Sequence, residues 1–178
     1  MKLWQLLANV VLFQITWISA ALGYEVYALV SLILLAGTQI FSLEAIKSVV
    51  LGVITAIILG LSMDSALVLL GIYQFPETST LSILNLPYWL LIMWSAFSLT
   101  VFVSFHWALN RQLIFVILCA VMGPFSYVAG RQLNIIEFAN NDILIMVGAW
   151  GSWAVLFLVI WKNVLAVKTV SEKVAGEL

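Results

Sequence analysis

Asp64 lies in the stretch Ser48–Tyr73, which is otherwise almost wholly apolar and too long for an ordinary buried helix. A carboxylate in hydrocarbon costs several kcal/mol unless it meets water or a partner, so an acid in such a place marks a candidate site. A partner is on offer in a second apolar stretch. Tyr127 and Arg131 are four residues apart there and share one helix face. Arg131 is also the one basic residue on a side where Glu25, Glu77, Glu137 and Asp142 outnumber it. The expected arrangement is an Asp64–Arg131 pair with the Tyr127 hydroxyl nearby and Glu137 in the same polar group. Such a pair either clamps two helices together or serves as a working acid–base or binding site.

Other residues could carry chemistry by type and place. Gly123 and Pro124 fall near the middle of the Arg131 stretch. There the proline removes its own amide donor and clashes with the carbonyl of Ala120, which predicts either a helix break of the kind that marks binding sites in transporters or, with Ala120, Gly123 and Gly130, a small-residue face for close helix packing. Asn9, Gln14 and Trp17 interrupt the first apolar run, and with Asp64 they suggest a polar interior reaching partway through a bundle. His106 near an apolar run's end is either a proton acceptor or a residue at headgroup level. Cys119 reads as a small hydrophobe. Gly148 and Gly151, beside Trp150 and Trp153, read as close-packing positions.

Several function classes are excluded by what is missing. One His, one Cys and two Asp cannot build the clustered sites that metals need, so neither a metal nor another cofactor is expected. There is no nucleophile elbow, His-Glu-x-x-His or Walker loop. A net charge of −1 argues against a nucleic-acid partner.

The elements that must position these residues follow from composition. Hydrophobic residues are 65% of the 178 and charged residues 8%, far from the balance of a soluble domain. The fold class is therefore all-α, a polytopic transmembrane bundle forming one domain over 1–178. A span needs about 20 apolar residues, and the charges divide the chain into six: 3–23, 26–41, 48–73, 87–109, 112–133 and 143–164, with a short cytoplasmic tail at 165–178. Asp64 then lies roughly 24 Å from Ser48, in the outer leaflet. Lys2, Lys47, Arg111, Lys162, Lys168 and Lys173 fall on one side and Arg131 alone on the other, which predicts both termini in the cytoplasm. Trp4, Trp107 and Trp161 are expected as anchors at the inner boundary, and Tyr24, Tyr27, Tyr73, Tyr88 and Trp89 at the outer one. Trp17, Trp94, Trp150 and Trp153 are expected inside the bundle.

Three segments together carry a resemblance. They are the opening with Trp4, Asn9, Gln14 and Trp17; Met-Asp-Ser-Ala-Leu-Val-Leu-Leu-Gly at Met63–Gly71; and Gly-Pro-Phe-Ser-Tyr-Val-Ala-Gly at Gly123–Gly130, followed by Glu137. Over nearly its whole length the chain resembles the bacterial inner-membrane family catalogued as domain of unknown function 2878. The resemblance implies this architecture, a bacterial inner-membrane location and a membrane-lipid setting, with no assigned activity. The expected function is a non-catalytic component that binds lipid or a small apolar molecule and supports a membrane-protein partner or a second copy of itself. The alternatives are an oligomeric transporter or flippase and a cofactor-free lipid-modifying enzyme.

Overall fold

In a computed structural model, which describes residues 3–40, 46–76, 82–83 and 86–165, the chain is a bundle of helices. They are α1 (Leu3–Ala21), α2 (Glu25–Ile40), α3 (Ile46–Leu69), α4 (Tyr88–Val103), α5 (His106–Leu109), α6 (Gln112–Gln132) and α7 (Ile143–Ile160), the last continued by a π-helical turn, Trp161–Leu165. Two short strands, β1 (Ser82–Ile83) and β2 (Leu86–Pro87), pair antiparallel just ahead of α4. Four stretches, Leu3–Ala21, Ser48–Leu69, Gln112–Gln132 and Asn140–Asn163, are long and apolar enough to cross a membrane. Glu25–Thr38 and Tyr88–Val103 are apolar but shorter. Most of the expected tail, from residue 166, lies outside the described residues, as do Lys2, Glu77 and the Lys47 side chain.

Helix α4 occupies the centre. Leu90, Ile92, Trp94, Ala96, Ser98 and the run Thr100–Val103 are all buried, a pattern that covers most of the helix surface and leaves Leu91 exposed. Helices α1 and α2 pack on each other and on α4, while α3 joins α4 to α7, and α6 packs on α7. Phe102 and Val103, both buried, belong to this core.

The stretch expected as one span at 87–109 divides between α4 and α5. Ser95, Ser98 and Thr100 each donate a hydroxyl to the carbonyl four residues back, and such back-bonding weakens and bends a helix. Beyond the division, Ser104 turns its hydroxyl to the Oδ1 of Asn9 on α1 at 2.7 Å. The helix break, one of the two readings of Gly123 and Pro124, is not formed. α6 runs through both residues as one helix, because a proline removes one ladder bond and leaves the rest of the turn intact.

Helices α1, α3 and α6 end in the same motif. The amide of Tyr24 bonds the carbonyl of Ser19, that of Ile72 bonds Leu67, and that of Ile135 bonds Gly130. The residue before each, Gly23, Gly71 or Asn134, has positive φ. This is the Schellman ending, which turns the chain sharply back on itself.

Candidate functional site

Asp64 is completely buried on α3, and three donors converge on it. The Tyr73 hydroxyl donates to Oδ1 at 2.5 Å, the Tyr127 hydroxyl donates to the same oxygen at 2.6 Å, and the Trp94 indole N–H donates to Oδ2 at 2.6 Å. Tyr127, whose hydroxyl was expected near an Asp64–Arg131 pair, arrives from α6 and bonds the carboxylate directly. Tyr73 and Trp94 were not expected there.

Arg131 is not the counter-charge. Its guanidinium donates to Asn140 Oδ1 at 2.9 Å and to the Phe138 carbonyl at 3.3 Å, and it lies 4.5 Å over the Phe138 ring. The capping turn at Asn134 explains the difference. It folds the following segment back against the last turn of α6, so the arginine finds partners among residues 138–140 and has no need to reach into the bundle.

Glu137 also stands apart from the carboxylate, and its contribution is indirect. Its backbone exchanges two hydrogen bonds with Gln74, each 2.9 Å, and its Oε2 accepts the Gln74 side-chain amide at 3.1 Å. That clasp fixes the residue next to Tyr73. The Gly71 turn reverses the chain after α3, the Gln74–Glu137 bridge holds it, and Tyr73 is thereby returned to the level of Asp64. Tyr73, expected as an anchor at the outer boundary, is 2% exposed.

Trp94 is placed by glycines. Gly60 precedes Asp64 by four residues on α3, and Gly123 precedes Tyr127 by four on α6, so each helix shows a glycine and a polar residue on one face. The Trp94 ring lies against Gly60 and the Trp150 ring against Gly123, where a methyl group on either glycine would overlap the indole. Between the two helices the indoles stack on each other, 5.1 Å apart and 14° from parallel. Trp153 continues the aromatic layer and donates its N–H to the Ala56 carbonyl at 3.4 Å. Gly148, in contrast, has nothing beside it, so it is not the close-packing position the sequence suggested, whereas Gly151 makes ordinary contact with Ala120.

Behind this layer the bundle encloses a cavity of about 430 Å³ between α1, α4 and α6. Trp94, Tyr127 and Gly123 form part of its wall, as do Gln14 and Trp17 from α1, while Cys119 adds a buried thiol. Asp64 and Tyr73 do not line it. Trp94 and Tyr127 stand between the carboxylate and the space. Val10, Met122 and Phe125 line the cavity and are themselves exposed, so it opens on the molecule's flank between α1 and α6.

The expected polar interior is not one path. Asn9, fully buried, donates to Thr38 at 3.3 Å and accepts from Ser104, joining α1, α2 and the end of α4. Thr16 and Ser31 form a second link between α1 and α2 at 2.9 Å. Gln14 and Trp17 face the cavity instead. His106 opens α5 as an exposed side chain, away from the Asp64 cluster. The one sequence signal for where the indoles pack is the glycine four places before Asp64 and before Tyr127. Nothing local distinguishes Trp94 from the other tryptophans.

No curated protein and no solved structure matches this chain. The family described as "Protein of unknown function (DUF2878)" matches residues 6–159. That range runs from the first turn of α1 to the end of α7, includes the carboxylate, its three donors, both glycines and the cavity, and shows that the chain belongs to this family.

Proposed function

We propose that this protein is a six-span component of the bacterial inner membrane, with both termini cytoplasmic. It holds a lipid or small apolar molecule in the cavity between α1 and α6 without acting on it chemically. The observation that carries this reading is the cavity itself. About 430 Å³ falls within the range of small-molecule sites, its lining is dominated by aromatic and aliphatic side chains, and its mouth faces sideways, where a lipid would enter. The Asp64 cluster supports a binding role over a catalytic one. A carboxylate screened by Trp94 and Tyr127 stiffens the cavity wall but does not touch an occupant. The bound molecule then presents to a membrane-protein partner or to a second copy of the chain.

Native mass spectrometry of gently purified protein tests the reading. The wild type is expected to retain an apolar molecule that Ala129→Phe, which fills the cavity from its exposed wall, releases. Retention that is the same in both proteins, or none in the wild type, overturns it.

A further inference from the structure

The cavity has polarity along its length. Trp89 and Trp17 line one end, where α1 finishes and α4 begins, with Gln14 a turn further in. Val10, Phe105 and Phe115 line the other end, where the polar atoms are the Thr100 hydroxyl, already donated to the Ala96 carbonyl, and the Cys119 thiol. Along α6 the lining runs from Phe115 to Gly130, a rise of roughly 22 Å. A volume of about 430 Å³ drawn out over that length leaves a passage one hydrocarbon chain wide. One leaflet of a bilayer core is about 15 Å deep, so the slot takes a leaflet-length chain with space left for a small head.

The polar atoms at the Trp89 end define that head. Among the described residues, the Trp17 and Trp89 indole N–H groups and the Gln14 amide have no hydrogen-bond partner. Among the described residues, no acidic or basic side chain lines the cavity. An ionised head held there would be left without a counter-charge among the described residues, whereas an oxygen acceptor would meet two half-buried indole donors and, at the exposed edge, an amide. Resting on the proposed cavity-binding role, we infer that the occupant is a single-chain lipid with an uncharged, hydrogen-bond-accepting head such as an ester or alcohol. The head sits at Trp17 and Trp89 and the chain runs toward Phe105.

Brominated single-chain probes test the assignment, because tryptophans line the slot and bromine quenches their fluorescence. Wild-type protein in detergent is titrated at pH 8 with a bromostearate methyl ester, the free bromostearate anion, a bromoalkyl trimethylammonium and a dibrominated two-chain phosphatidylcholine. The saturable quenching that an unlabelled competitor reverses is the signal. The ester is expected to bind about tenfold tighter than either charged single-chain probe, the size of effect that one or two hydrogen bonds supply. Trp17→Phe and Gln14→Leu are expected to lower ester affinity several-fold while leaving a bromoalkane unchanged. Equal or tighter binding of a charged probe, or unchanged ester affinity in both variants, overturns the head assignment and leaves the cavity reading standing. Tightest binding of the two-chain probe overturns the single-chain assignment. Absence of saturable quenching by every probe overturns the cavity reading together with this one.

Discussion

A carboxylate withdrawn from water must recover its lost hydrogen bonds, and at Asp64 two phenols and an indole provide them. An arginine would have added a second desolvated charge, whose cost the pair's attraction does not always repay. The neutral donors avoid that cost. They also tie α3 to α4, to α6 and to the segment after Gly71 through one side chain. A double-mutant cycle separates the two designs. Asp64→Asn combined with Tyr127→Phe is expected to be less damaging than the sum of the single losses, with a coupling of about 1–2 kcal/mol, above the roughly 0.6 kcal/mol average for hydrogen bonds in membranes because the acceptor is a carboxylate. Asp64→Asn with Arg131→Gln is expected to be additive within about 0.5 kcal/mol, as for residues that share no partner. Thermal denaturation in detergent of the variants in both cycles measures this. A larger coupling to Arg131 than to Tyr127 would reinstate the ion pair. The sequence exposed Asp64 because a lone acid in an apolar run is conspicuous by type. It hid Tyr73, because a tyrosine just past a helix end looks like a boundary anchor until the reversal at Gly71 brings it back inward.

At the scale of the elements, helix extents were legible because charges and turn residues interrupt apolar runs sharply. α1, α2 and α6 lie within a residue or two of their expected bounds. What the runs do not encode is which face meets which neighbour. Of the two readings of Gly123 and Pro124, a break or a small-residue packing face, the structure has the second: the bare backbone of Gly123 admits the Trp150 ring. Gly60 does the same for Trp94, so the stacked indoles set the separation of α3 from α6. Gly60→Ala and Gly123→Ala are each expected to destabilise by about 1–3 kcal/mol through overpacking, with a shifted tryptophan emission as the indoles separate. Gly148→Ala, on the open side of α7, is expected to be neutral or to stabilise by up to about 1 kcal/mol from helix propensity. Melting temperatures of the three variants decide it. A harmless Gly123→Ala would remove the indole stack as the spacer between the helices.

At the scale of the whole molecule, the six-span reading turns on α2 and α4. α2 is described only as far as Ile40, where the described residues break off, and α4, at 16 residues and about 24 Å, falls short of a roughly 30 Å core. For α4 the shortfall matters little, since it is wrapped by its neighbours and only lipid-exposed backbone must be helical throughout. α5 also extends it. The three Schellman endings lie at one end of the bundle with Arg131, and Arg111 and Lys162 lie at the other; the proposed orientation makes the second end the cytoplasmic one. Single cysteines introduced into a Cys119→Ala background provide the test. Cysteines at Gly23, Gly71 and Asn134 are expected to react with a membrane-impermeant maleimide added to intact cells from which the outer-membrane barrier has been removed. Cysteines at Asn110 and Asn163 are expected to react only after the inner membrane is opened. The pair Gly71 and Asn110 isolates α4, because both sit on the same side if that helix fails to cross. Labelling of Asn110 from outside would reduce the span count and carry α6 and α7 into the opposite orientation. Exclusive labelling of Gly23, Gly71 and Asn134 would put the Asp64 cluster and the polar end of the cavity in the periplasmic half of the membrane.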